Sequence, residues 1–247
     1  CCGRPLYDFG MLDRAERLLL EVLDQLEPQI EDGIPVVGLE PSCVAVFRDE
    51  LINLFPHDKR AQALSKQTFL LSEFLEHGLS HSAQLPQLSR QALLHGHCHH
   101  KSIMKMTAEE SLLRRLGVQF QSPAPGCCGM AGSFGFEADK YEVSAAIGEL
   151  ELLPAIRQAP GDWLIIADGF SCREQIAQGT GRHALHLAEV LQMALQPSAL
   201  DKDDPYPESR LVRERQSDIR ASMKRAGISL GALAAGSVLV WAASRQH

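Results

Sequence analysis

The sequence has no run of cysteines spaced by two-residue gaps, no excess of basic residues and no secretory signal at its start. The first absence removes the commonest bacterial iron–sulfur motif from consideration. The second, 24 Lys+Arg against 31 Asp+Glu, gives no basis for general nucleic-acid binding. The third argues against export. The chain also begins at Cys1 and not at Met, so a fragment or a processed product is expected. What it does contain is 7 cysteines in 247 residues: Cys1, Cys2, Cys43, Cys98, Cys127, Cys128 and Cys172. An odd number with two adjacent pairs fits a disulfide framework poorly, and neighbouring cysteines are badly placed to bridge each other. Clustered thiols in a reducing compartment point instead to metal ligands or redox chemistry.

The pattern along the chain predicts an α/β fold with mostly parallel sheets, because short apolar runs alternate with longer amphipathic stretches. Strands are expected at Ile34–Leu39, Ala92–His95, Val118–Gln121 and Trp163–Ala167. Helices are expected at about Val44–Leu54, Lys59–His77, Ala108–Leu116, Ala138–Gln158 (with an internal Pro154) and Ala184–Leu195. Within Lys59–His77, Leu64, Leu71, Phe74 and Leu75 fall on one helical face. On this map Cys43, Cys98, Cys127 and Cys172 each lie just past the carboxyl end of a strand, the edge at which open parallel sheets bind ligands.

An internal repeat adds to this. CCGRPLYDFG at Cys1 parallels CCGMAGSFGF at Cys127, and VVGLEPSC ending at Cys43 parallels LIIADGFSC ending at Cys172. The second copy has one further cysteine, Cys98, whose counterpart would precede residue 1. The reading is therefore two pseudo-repeated halves, 1–90 and 91–197, the first truncated. A polar and basic linker is expected at 198–225 and an apolar tail helix at 226–243. That tail meets the lower length limit for a membrane span.

Converging thiolates suit zinc or iron in an iron–sulfur cluster. Gly126, Gly129, Gly132 and Gly135 would allow tight turns that bring N–H groups near sulfur, although they also fit an ordinary loop before a helix. The segments HGHCHHKS, PGCCGMAGSFGFE and ADGFSCREQ make the comparison specific. They resemble the cysteine-rich CCG domain, which occurs twice in one of the subunits of heterodisulfide reductase and in the iron–sulfur subunits of glycolate oxidase and anaerobic glycerol-3-phosphate dehydrogenase. It occurs also in lactate-utilisation proteins. The layout looks most like the C-terminal part of large fused FAD-linked D-2-hydroxyacid dehydrogenases, and the resemblance covers roughly residues 1–195.

That resemblance implies a complete cluster site at Cys98, Cys127, Cys128 and Cys172, and an incomplete one at Cys1, Cys2 and Cys43. The fullest form of the motif ends in Cys-x-x-Cys, but here Glu40 and Gly169 stand at the first cysteine of each pair. An ordinary [4Fe–4S] cluster with an electron-transfer role therefore fits better than disulfide-cleaving chemistry. A structural zinc site and a thiol–disulfide reductase are the rival readings, with zinc an alternative occupant of either site. The resemblance further implies FAD in a preceding region, a flavin dehydrogenase and a ferredoxin-like domain as partners, and a membrane quinone as acceptor. The location would be cytoplasmic, at the inner face of the membrane.

The histidines His95, His97, His99 and His100 flank Cys98. If they alternated along a strand, at most two would reach one ion. Asp168 and Glu40 are expected to cap or hydrogen-bond at strand ends, and Arg173 to offset thiolate charge or form a surface ion pair. The QGTGRH segment, with Gly179 and Gly181, is too weak a pattern for a phosphate loop.

Overall fold

The computed structural model describes residues 1–80, 83–123, 126–196 and 206–244, with side chains described as far as residue 227. Residues Cys1–Pro207 form one compact unit and Glu208–His247 a second. The first unit is α/β. Strands β1 (Val36–Gly38) and β2 (Thr68–Leu70) pair in parallel, and β3 (Gln91–Leu94), β4 (Gln119–Gln121) and β5 (Leu164–Ile166) form a parallel sheet in the order β4-β3-β5. The chain after β5 returns to bridge Ile166 with Leu185 in parallel. Because β3, β4 and β5 run the same way, the loops that leave them emerge on one edge, and these loops lead to Cys98, Cys127 and Cys172.

Local sequence accounts for the elements. In Leu12–Gln25 the buried residues Ala15, Leu19 and Leu23 repeat at helical spacing and line one face. The Leu-Ile-Ile run of β5 is wholly buried, as a strand covered on both faces requires. After β1 the chain turns into the helix Pro41–Ala45, passes through a π turn at Val46–Glu50 and continues as Leu51–Leu54.

Four expectations need correction. The stretch 59–77 is not one helix: Lys59–Gln67 and Leu71–Gly78 flank β2. Thr68 sends its hydroxyl back to Leu64 O (2.7 Å), while Glu73 accepts from Leu70 N (2.8 Å) and starts the next helix. That leaves β-branched Thr68 and its neighbours free to pair with β1. The stretch 138–158 divides into Tyr141–Gly148 and Leu152–Gln158. Pro154 falls in the first turn of the second helix, where its missing N–H costs no hydrogen bond. Residues 184–186 are extended and the helix begins at Leu187, capped by the His186 ring, which accepts from Ala188 N at 3.0 Å. Finally, the strand before Cys98 ends at Leu94 and residues 98–104 are helical, so the four histidines do not alternate along a strand.

In the second unit, Ser209–Ser244 is one helix, so the basic stretch is helical from residue 209 onward. Among the described residues no helix is long and apolar enough to cross a membrane. From residue 228 on, the side chains of the apolar 226–243 segment lie outside the described residues.

Candidate metal centre

The sulfur site is built at the strand ends. Cys172 is the third residue of the helix Phe170–Thr180 that leaves β5, and Cys43 is the third residue of the helix Pro41–Ala45 that leaves β1. This position turns each side chain back toward the strand edge. Cys128 and Cys172 are 3% and 1% exposed and belong to one apolar core group with Leu93, Ile165 and Ile176. Cys127 is half-buried and Cys98 exposed, so the four residues run from the core to the surface.

Their sulfurs form a chain of neighbours, Cys98 beside Cys127, Cys127 beside Cys128 and Cys128 beside Cys172. Interaction with Cys128 and Cys98 pulls the Cys127 thiol well below its usual range. Interaction with Cys128 lowers Cys172, against its burial and with help from His95. Cys98 and Cys128 are pushed up by the same neighbours and by burial. The four thiols are electrostatically coupled.

Glycines make the loop possible. Gly129 has φ +96°, and an added Cβ would lie 2.0 Å from Ser144 O, so only glycine lets the Cys127-Cys128 turn rest on the helix Tyr141–Gly148. Its N–H points at Cys127 Sγ, 3.3 Å away. A Cβ at Gly169 would meet His97 Cδ2 at 2.4 Å and Cys172 Sγ at 3.3 Å. A cysteine side chain at this position would thus collide with His97, and the backbone instead closes over the sulfur.

Beside the sulfurs lies a cavity of about 260 Å³. Cys98, Cys127, Cys128, His97 and His99 line it together with Arg4, Asp8 and Ser42. The residues fit an iron–sulfur group. The donors are soft thiols, with free space beside three of the four and a backbone N–H aimed at sulfur.

The other three cysteines are only partly drawn together. Cys2 Sγ and Cys43 Sγ are 3.1 Å apart, and the bond between them lowers Cys2 to about 6 while raising Cys43. Cys1 is exposed. Arg4 occupies the adjoining space: it is buried, paired with Glu50 and bonded to Ser42 O at 3.2 Å.

The surrounding polar residues separate into distinct roles. Glu40 caps two helices at once, accepting from Ser42 N at 3.3 Å and from Phe170 N at 2.7 Å. Asp168 accepts from Leu187 N at 2.9 Å. Arg173 bonds the main-chain oxygens of Ala167 and Asp168, which ties it to the β5 end and not to a surface carboxylate. His97 accepts from His99 N at 3.2 Å. His100 Nδ1 faces Glu109 Oε2 at 3.9 Å. Sequence reasoning passed over Arg4 and Glu109. A signal for Glu109 was present, since it lies three, four and seven residues before Leu112, Leu113 and Leu116, a carboxylate on an apolar face.

The chain is similar to several known proteins. Residues 93–177 match the model of the cysteine-rich CCG domain. The chain is 29% identical over 191 residues to a D-2-hydroxyglutarate dehydrogenase of Pseudomonas putida, a match covering 76% of this chain and 18% of that protein. It is 28% identical over 199 residues to a subunit of the anaerobic glycerol-3-phosphate dehydrogenase of Escherichia coli, covering 79% of this chain and 49% of that protein. Lactate utilization protein A of Bacillus licheniformis is 28% identical over 205 residues, covering 77% of this chain and 82% of that protein. The chain thus spans less than a fifth of the hydroxyglutarate dehydrogenase and about half of the glycerol-3-phosphate dehydrogenase polypeptide. Residues 93–177, the part of the chain that is similar to the cysteine-rich CCG domain, carry Cys98, Cys127, Cys128 and Cys172.

Proposed function

We propose that the chain is the iron–sulfur, electron-transferring part of an oxidoreductase, with Cys98, Cys127, Cys128 and Cys172 as the ligands of a [4Fe–4S] centre. The observation that carries the reading is the chain of four neighbouring sulfurs beside a cavity, at the carboxyl edge of a parallel sheet. Relatives named as D-2-hydroxyglutarate dehydrogenase and lactate utilization protein A favour a D-2-hydroxyacid as the electron source. Oxidation would occur at a flavin outside this chain, with a ferredoxin-like domain between and a membrane quinone beyond. We read 1–90 and 91–197 as two related units, the first holding Cys1, Cys2 and Cys43 as an incomplete site.

The bound group would supply one-electron redox chemistry. The protein's own part is to hold and shield. Cys128 and Cys172 anchor the centre to the core, Cys98 and Cys127 leave one side open toward a donor, and Gly129 N–H stabilises negative charge on the Cys127 sulfur. His95 does the same at Cys172. No side chain here needs to act as a nucleophile.

The test is anaerobic reduction of the purified chain by a reduced flavin, followed by EPR and by reoxidation with a soluble quinone. A paramagnetic signal that rises and falls with the two reagents is expected. A chain that takes up no electrons, or that cleaves a disulfide substrate with loss on alkylation of Cys127, overturns the reading.

A further inference from the structure

Next to the sulfurs lies a second group of ligand-type side chains that the cysteine site does not use. His100, Glu109 and Asp168 present donor atoms all within 4.8 Å of one another. The three residues are 1%, 1% and 4% exposed. They come from three separate elements: the helical turn after Cys98, the helix Thr107–Arg115 and the end of β5.

Their hydrogen bonding is incomplete. The carboxyl groups of Glu109 and Asp168 face each other, both buried. Glu109 Oε2 has no hydrogen-bond partner, and neither has His100 Nε2. The approach of His100 Nδ1 to Glu109 Oε2 is 3.9 Å, too long for a hydrogen bond. It is within the span of two metal–donor bonds of about 2.1 Å each. An orphaned buried carboxylate oxygen is costly, and two buried carboxyl groups side by side resist ionising together. A dication answers both problems, since it balances two carboxylates and gives the orphaned oxygen a partner.

We propose that His100, Glu109 and Asp168 bind one divalent cation of the manganese or zinc kind. One imidazole with two carboxylates is a harder donor set than the thiols nearby, and it accepts manganese, which thiols bind poorly. Asp168 is oriented in advance: Leu187 N donates to its Oδ1 at 2.9 Å, and His186 Nε2 stands 3.5 Å from the same oxygen. His186 is in turn held by Leu39 O at 2.7 Å. Such supports position a ligand before the ion arrives. The ion would act as a pin. His100 lies two residues past Cys98 and Asp168 four before Cys172, so the ion would fix the two loops that carry the outermost and innermost sulfurs. This inference does not depend on what the sulfurs hold.

The test uses the full chain, freed of exchangeable ions with EDTA and titrated anaerobically with Mn²⁺ while the free-ion EPR signal is followed. Thiolates compete poorly for this ion. Uptake of one Mn²⁺ per chain is expected. Glu109→Gln and Asp168→Asn should each weaken it by more than about tenfold, and Cys127→Ser should leave it intact. Far-UV circular dichroism checks that the variants fold, and the wild-type arm is decisive by itself. Absence of uptake by the wild type overturns the proposal. So does uptake undiminished in both carboxylate variants, or uptake lost in Cys127→Ser.

Discussion

The tripeptide Cys-Cys-Gly occurs twice, at 1–3 and 127–129, and its two settings differ. At 127–129 the glycine is pressed against a helix, with Ser144 O where a side chain would be. At 1–3 the glycine has a similar backbone angle, φ +83°, but the nearest atom to an added Cβ is 3.7 Å away. The residue that follows differs too. Met130 is buried among apolar neighbours, whereas Arg4 is buried beside Cys43 in an ion pair with Glu50. The second setting draws four sulfurs together, two of them rooted in the core. The first draws together two, of which Cys2 belongs to the core group around Leu19 and Leu51. The motif supplies sulfur; the packing behind it determines how firmly the sulfur is held.

This contrast predicts unequal effects. The largest is at the ligands themselves: Cys172→Ser should remove nearly all the iron bound at the second setting, and Cys2→Ser should leave that iron in place, as measured by iron per chain after anaerobic purification. A smaller effect is expected at the paired glycines. Gly129→Ala meets Ser144 O as well as an unfavourable backbone angle and should cost about 3 kcal/mol or more. Gly3→Ala faces only the angle and should cost about 1 kcal/mol. Urea denaturation of the two variants measures the difference, and equal costs would mean that the two turns are packed alike.

Smaller again is the link between the helices Pro41–Ala45 and Phe170–Thr180. Glu40→Ala removes a carboxylate that caps helices on both sides and should lower stability by about 1–2 kcal/mol. Glu40→Gln should recover part of that, since the amide oxygen still accepts. The smallest effect belongs to Asp58, the cap of Lys59–Gln67. Its carboxyl is held below the ordinary 3.8 by the Arg60 side chain. The stabilisation is therefore present at neutral pH and lost as pH falls through the depressed value. Asp58→Ala should cost about 1 kcal/mol or less at pH 7, with the gap to wild type closing in acid and iron content unchanged.

Much of this was legible from the residues. The parallel β3, β4 and β5 and the placement of cysteines after them follow from short apolar runs such as Leu-Ile-Ile and from where the thiols stand relative to them. The misread stretches fail for identifiable reasons. Residues 59–77 keep an apolar spacing compatible with helix, and only the pairing of Thr68–Leu70 with β1, a contact distant in sequence, turns them into a strand. The division of 138–158 occurs where Gly148 passes within contact distance of Cys128 O, which local propensity does not encode. Glu40 stands where a fuller motif has cysteine, and its reach of 130 residues to Phe170 N emerges only in the folded chain.

The central claim is that Cys98, Cys127, Cys128 and Cys172 jointly hold an iron–sulfur centre. Iron and acid-labile sulfide, determined together on the anaerobically purified chain and on Cys128→Ser, test it most directly. Stoichiometric iron and sulfide in the wild type, both lost in the variant, is the predicted result. A colourless chain free of iron, or one carrying zinc alone, would contradict it.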